Sequence, residues 1–406
     1  AFCPVMQFHS EKSDPTPSEE RSPWNVQERT GDTTIVPVFR KYVNTRTNLL
    51  PYTYSESIKS SATGSPMMRA MFLDFADDAN TYNLDQQYMF GHSLLVAPVM
   101  NEGETEKAVY LPEGEWIDFW HNALTAGGET KTYYADVDSI PVYVKNGSII
   151  PMNLNANYEL GGSIGNDVDN YTNLTFRVYP QGNSSYTVNN SDGTSMEIQA
   201  TENFDQHKVT VQLPAYDSQI TTQIFGSRPS SVTANGNELQ QVSSLDEFVA
   251  GTDCFFYNAN EKFTYVKSSV KDAVAICVNG ISKAPFEAEH AALTGVSTNT
   301  NHTGYYGEGF VEQFAENGDA VAFTVYEDAE AEKSVVIRYS AGTEDAQRSI
   351  SVNGETVRIS LPKTQDWDTW SEISVPVHVV AGRNTINICY NEGDFAGINL
   401  DCIRIE

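Results

Sequence analysis

The run Leu84-Asp-Gln-Gln-Tyr-Met-Phe-Gly-His-Ser-Leu-Leu-Val-Ala-Pro-Val99 decides how this chain folds. A polar head closes at Gly91, and an apolar stretch from Leu94 to Ala97 stops at Pro98, which cannot donate to a β-ladder. The reading is a short buried strand. Around it, between Met67 and Met152, stand Val109-Tyr-Leu-Pro112, Gly114-Glu-Trp-Ile-Asp-Phe-Trp120, Gly127-Gly128 and Ile140-Pro-Val-Tyr-Val-Lys-Asn-Gly-Ser-Ile-Ile-Pro151. Each is a strand-length apolar run punctuated by Gly or Pro. The pattern predicts a compact antiparallel β-domain over 65–152.

These phrases, in this order and led by Pro51-Tyr-Thr-Tyr54 and Met68-Arg69, resemble the β-domain that follows the catalytic barrel in glycoside hydrolase family 31. That family comprises retaining α-glucosidases and α-xylosidases. The resemblance implies that the domain buttresses a barrel and carries no catalytic group of its own.

The chain has 406 residues, room for about three domains at ~150 residues each. Aromatic residues make up 11% and apolar residues 40%, enough for large cores. Its 54 acidic against 25 basic residues give a net charge of −29. Such a surface repels nucleic acid and anionic lipid, and it suits neutral sugars and divalent cations. No run of 18 apolar residues exists, so no membrane span is expected. Nor is there a signal-like start at Ala1, which places any export signal of a secreted or cell-surface bacterial protein upstream. The odd count of five cysteines excludes full pairing within the chain; Cys389 and Cys402 lie on neighbouring terminal strands and read either as a pair or as buried thiols.

Residues 1–9 read as a short apolar strand ending at His9, followed by a polar loop over 10–33. From Val36 the residues Val38, Tyr42 and Leu49 share one helical line, and Phe39, Val43 and Leu50 the next. Pro51 is expected to break or kink this helix, a second piece runs to Thr63, and Gly64 suits its C-cap. Strand, loop and helix make one βα unit, whereas a complete (β/α)8 barrel needs eight in roughly 250 residues. Residues 1–64 are therefore read as the end of a barrel. The resemblance to family 31 makes this the barrel's last unit. It also matches His9, in the phrase Ala-Phe-x-Pro-x-x-x-x-His, to a histidine that hydrogen-bonds the substrate sugar. Met6-Gln7-Phe8 departs from the Ser-Arg-Asn frequent there, which leaves the sugar specificity open.

Retaining glycosidases need two carboxylates about 5–5.5 Å apart. The resemblance places both, as aspartates, on earlier barrel strands. Asp74, Asp77, Asp78 and Asp85 read as turn acids, so no catalytic residue is expected within this chain.

Residues 153–281 predict a second antiparallel β-domain, with Asn173-Leu-Thr-Phe-Arg-Val-Tyr179 and His207-Lys-Val-Thr-Val-Gln-Leu213 alternating around the turn Ser191-Asp-Gly-Thr194. Ser282 to Pro285 is a hinge. Over 282–406, short strands at near-regular spacing predict a β-sandwich. Phe286-Glu-Ala-Glu289, Gly304-Tyr-Tyr-Gly-Glu-Gly-Phe-Val311, Trp367-Asp-Thr-Trp370 and Gly397-Ile-Asn-Leu-Asp401 resemble carbohydrate-binding module family 35 and its relative family 6, which implies a jelly roll. Glu287 and Glu289 share a strand face at period two, and paired carboxylates repel unless a cation sits between them; oxygen ligands suit Ca2+. The resemblance adds Asp401 to that structural calcium site. It also implies that Tyr306, Trp367 and Asn399 line the sugar site, an aromatic platform with an amide to read ring hydroxyls.

The chain is thus expected to be mainly β: a barrel end, two β-domains and a sugar-binding sandwich. The expected function is the C-terminal part of a retaining family 31 enzyme acting on α-glucosidic or α-xylosidic bonds of an oligo- or polysaccharide. Alternatives are an α-glucosyl-transferring parent, a calcium-dependent anchoring protein without catalysis, and a structural adhesin.

Overall fold

The computed structural model describes residues 1–6, 22–165, 171, 173–216 and 220–406. The first unit is helical. Helix α1 spans Pro23–Thr30, α2 Ile35–Asn48 and α3 Leu50–Thr63. The first of these lies inside the stretch predicted to be a polar loop. Its ends are nonetheless written locally: the Ser22 hydroxyl accepts from Asn25 N–H, Pro23 occupies the first turn, and Gly31 closes the helix at φ 73°. Pro51 does not kink one long helix. It sits in the first turn of α3, after Leu49 separates the two helices, where its missing N–H costs nothing. Gly64 caps α3 as expected, at φ 76° with its N–H on Ser60 O. Residues 1–6 form no strand, because barrel strands pair only with other barrel strands and none is present among the described residues. His9 lies outside the described residues.

The organising stretch is the floor on which α3 stands. Tyr52 is fully buried; its hydroxyl donates to Phe90 O (2.8 Å) and accepts from Ser93 N–H (3.2 Å). Gly91, at φ 61°, leaves the space this hydroxyl fills, and a Cβ there would collide with it. The proximal β-domain is a six-stranded sheet in the order Met68–Ala70, Tyr88–Phe90, Leu94–Val96, Val142–Lys145, Glu115–Asp118, Leu124–Ala126, with a separate ribbon of Glu106–Leu111 and Glu129–Tyr134.

The distal β-domain packs two six-stranded sheets. Strand Ile149–Asn153, which its Gly/Pro punctuation groups with the proximal phrases, instead forms the edge of a distal sheet, paired antiparallel with Leu174–Val178. Leu174–Val178 and Ile220–Phe225 run parallel, so this domain is mixed rather than purely antiparallel. The terminal module is a sandwich. One sheet has Asn399–Ile405 between Phe310–Glu312 and Ala331–Ser340; the other is centred on Gly382–Cys389.

A continuous apolar core runs through all four units, from Phe2 and Tyr52 through Phe176 and Ile281 to Ile403. The five cysteines are free thiols; Cys389 and Cys402 sit in opposite sheets of the sandwich. Among the described residues, no helix is long and apolar enough to cross a membrane.

Candidate functional site

The acidic residues of the terminal module converge from three elements. Glu287 ends the short strand Phe286–Glu287, which pairs with Asn399–Ile405 so that Glu287 stands opposite Cys402, beside Asp401. Glu289 lies not on a strand but in the 3-10 turn Ala288–His290. The strand-face argument therefore fails for it, yet its carboxylate reaches the same place. The meeting point is the loop around Gly307, at φ 65°. A Cβ there would stand 2.7 Å from Glu289 Oε1 and 3.1 Å from Glu287 Cδ, so only a bare backbone fits between the two carboxylates.

Each carboxylate is partly satisfied. Glu289 Oε1 accepts from Glu308 N–H (2.9 Å) and Gly309 N–H (3.2 Å). Asp401 Oδ1 accepts from Tyr306 N–H (3.0 Å), and its other oxygen pairs with Arg338. Glu287 Oε1 lies 2.9 Å from the Lys262 ammonium, which comes from the distal domain. The Oε2 atoms of Glu287 and Glu289 are buried without a hydrogen-bond partner. Burial, then the charge of Glu287, pushes Glu289 up to about 8 and Asp401 up to about 7. Burial also raises Glu287, against the pull of Lys262. Three buried acids meet two fixed cations here, and a further cation would offset the remaining negative charge.

Among the described residues, no three acidic, histidine or cysteine side chains already converge as a finished metal cage. Two of the three acids are turned toward basic side chains instead. The donor set still fits a hard divalent cation: all oxygens, two of them buried and unpartnered, across a glycine with no side chain in the way.

The expected sugar residues divide. Trp367 is half-buried, with its ring laid against Gly342, where a Cβ would come within 2.6 Å of the indole Cγ. His302 lies beside it at 6.2 Å between centroids, tilted 31°. Asn399 stands opposite Ser340, whose hydroxyl donates to Trp367 O (3.1 Å), and the Asn399 Nδ2 is buried without a partner. Trp367 and Asn399 thus belong to one neighbourhood. Tyr306 does not. The Arg338 guanidinium covers its ring at 3.9 Å, and it lines a cavity of about 410 Å³ shared with His207, Arg228 and Tyr257 of the distal domain. Its neighbour Tyr305 contacts Phe310, which also touches His302 and so leads toward Trp367. Sequence reasoning misses Lys262, Arg338, His302 and Tyr305; no local pattern marks Lys262, whose acid lies in another domain, or Arg338, whose acid lies on a strand far along the chain.

Comparison with known proteins supplies the setting. The model of the glycosyl hydrolases family 31 TIM-barrel domain matches residues 1–56, that of the family 31 C-terminal domain residues 64–150, and that of carbohydrate binding module family 35 residues 284–406. Over all its length the chain is 49% identical to the isomaltosyltransferase of Sporosarcina globispora, of which it covers 37%. It superposes, at TM-score 0.96 and 48% identity, on the cycloalternan-forming enzyme from Listeria monocytogenes in complex with a pentasaccharide substrate, covering 100% of this chain and 39% of that one. A Listeria monocytogenes EGD-e protein solved with alpha-D-glucose, beta-D-glucose, magnesium and calcium matches at TM-score 0.97 and 48% identity, with the same coverage. Several relatives that bear hydrolase names align over 36% to 49% of the chain. The chain spans little more than a third of the length of the relatives that match it throughout. The barrel end and the domain after it are thus domains of glycosyl hydrolase family 31, and the terminal sandwich is a family 35 carbohydrate-binding module.

Proposed function

We propose that this chain serves an enzyme that transfers α-glucosyl or isomaltosyl units between α-glucans, and that its terminal module holds the glucan near the barrel. One observation carries the reading: the isomaltosyltransferase aligns with all four units, module included, whereas an isomaltosidase and an α-xylosidase align with about half of the chain or less and a dextranase structure with 64% of it. Transfer requires that an acceptor sugar outcompete water for the glycosyl intermediate. A module that keeps acceptor chains at high local concentration favours that outcome.

Within the module, Trp367 offers an aromatic face and Asn399 an amide, while Tyr306 stands apart from them beneath Arg338. Glu287 and Glu289, with Asp401 beside them, would hold calcium, whose divalent charge would offset the buried carboxylates. The ions bound by the Listeria monocytogenes protein support this assignment. The catalytic aspartates belong to barrel strands outside this chain, and His9 keeps the role of a substrate-sugar contact.

The test is to give the enzyme containing this chain an isomaltosyl donor and an α-glucan acceptor, and to follow products by chromatography. Lengthened or cyclised oligosaccharides should exceed free sugar. Release of free sugar alone would overturn transfer in favour of hydrolysis. Calorimetry with α-1,6- and α-1,3-linked glucans tests the module: saturable binding should be lost in Trp367→Ala, and absence of any binding by the unaltered chain removes the sugar-holding role.

A further inference from the structure

The acidic centre of the module is not built by the module alone. Lys262 belongs to the distal domain, at the turn between strands Cys254–Asn258 and Phe263–Lys267. It adopts φ 60°, the left-handed region that a non-glycine residue enters only when its surroundings hold it there. Its side chain is 1% exposed, and its ammonium lies 2.9 Å from Glu287 Oε1. Glu287 itself is 0% exposed. Arg338 occupies the matching position beside Asp401. Glu289 has backbone amides but no basic side chain of its own. Two fixed positive charges therefore stand where a divalent cation would sit, and the Oε2 atoms of Glu287 and Glu289 remain open to one.

We propose that Lys262 is a built-in substitute for the metal, which neutralises Glu287 when calcium is absent, keeps the module seated on the distal domain, and lowers the affinity of the site for calcium. The inference rests on the calcium reading of Glu287 and Glu289 given above. Its physical basis is that an ammonium within a few ångströms opposes a bound divalent ion strongly at the dielectric of a protein interior. Removing the ammonium strips a buried carboxylate of its partner, a state that is costly unless another cation takes its place. The same substitution should therefore tighten calcium binding and make the fold depend on it.

The experiment uses the whole chain, unaltered and as Lys262→Met. Calcium affinity is read by calorimetry or by competition with a chelator of known affinity. Melting temperature and proteolysis at the 282–285 hinge are read with calcium and with chelator. Lys262→Met should bind calcium about tenfold more tightly or better. It should melt lower than the unaltered chain in chelator, close that gap in calcium, and be cut faster at the hinge only without the metal. Lys262→Arg, which keeps the charge, should behave as the unaltered chain. If Lys262→Met does not fold in chelator, the affinity is taken from calcium-loaded protein, and Lys262→Met with Glu287→Gln, which removes both charges, should fold again without metal. Equal or weaker calcium binding by Lys262→Met, or a calcium-dependent melting gap no wider than in the unaltered chain, overturns the proposal. Failure of the unaltered chain and Lys262→Met alike to bind calcium overturns the calcium reading itself, and the substitute role falls with it.

Discussion

Two places where the module meets the rest of the chain bury carboxylates, and they are satisfied in opposite ways. At the hinge, the Lys283 ammonium lies 3.1 Å from Glu115 of the proximal domain and 3.3 Å from Glu327 of the module. Asn146 Nδ2 donates to the other Glu115 oxygen at 2.7 Å. Burial pulls Lys283 down, but the two glutamates push it above its ordinary range. One lysine thus partners both acids of the knot, while burial and the nearby Glu327 still raise Glu115. At the Glu287 centre, Lys262 serves only one carboxylate, Arg338 another, and Glu289 is left with amides on one oxygen and no hydrogen-bond partner on the other. Both junctions hold one more carboxylate than fixed cations, but in the first each acid touches the cation, and in the second Glu289 touches no basic side chain. The difference lies in whether the last carboxylate has a cationic partner at all.

The contrast is most directly broken at Lys283. Lys283→Met leaves Glu115 and Glu327 buried without a cation and should cost about 3 kcal/mol in denaturant unfolding. Calcium should restore none of it; recovery by calcium would erase the distinction between the junctions. Glu289→Gln acts in the other sense. It removes the unpaired charge while keeping the shape, so the metal-free chain should gain about 1 kcal/mol and its melting temperature should cease to respond to chelator. A response that survives would move the cation site elsewhere.

A finer test uses pH. His121 of the proximal domain sits 3.1 Å from Asp118 and 3.9 Å from Glu308 of the module. The Asp118 contact, against some burial, raises the His121 pKa. A raised histidine stabilises fully below its unfolded value near 6.5, and the contribution fades as pH rises through the higher folded value. Opposing it, burial holds His290 down to about 4, so the comparison must be with His121→Gln. Relative to that variant, the unaltered chain should melt about 1–2 °C higher at pH 6 and lose the advantage by pH 8. The smallest effect belongs to the Arg383–Glu129 pair at the exposed rim of the same boundary. Arg383→Ala should cost under about 1 kcal/mol and vanish at high salt. A larger, salt-resistant loss would mean that the rim, not the buried knots, seats the module.

How much of this is legible in the sequence depends on how local each cause is. The buried strand at Leu94–Val96, the α3 terminus at Gly64 and the hinge before Phe286 arise from apolar runs and from Gly and Pro, whose effects act within a few residues. Helix α1 is equally local, but its Ser22-Pro23 start and Gly31 stop are masked by the polar residues around them. Ile149–Asn153 reads as part of the wrong sheet because its partner, Leu174–Val178, lies across a loop that carries no pairing signal. At the site, Glu287 and Glu289 meet at Gly307, although Glu289 arrives by a turn rather than a strand, while Asp401 accepts from the neighbouring Tyr306 N–H and pairs with Arg338. Trp367 and Asn399 share a neighbourhood, whereas Tyr306 turns to Arg338. Which of two adjacent tyrosines faces the tryptophan is set by the path of a glycine-rich loop, and side-chain type does not encode it. Lys262 is invisible for the same reason: its partner is supplied by a different domain.

The space that Gly91 leaves for the Tyr52 hydroxyl has a bearing on how such proteins diversify. The residue that needs the gap belongs to the barrel's last helix, and the residue that provides it belongs to the next domain. Recombination that spliced a foreign barrel onto this β-domain at residue 64 would part the tyrosine from its glycine, leaving a void on one side or a clash on the other. At this contact the barrel end and the proximal domain fit only as a matched pair.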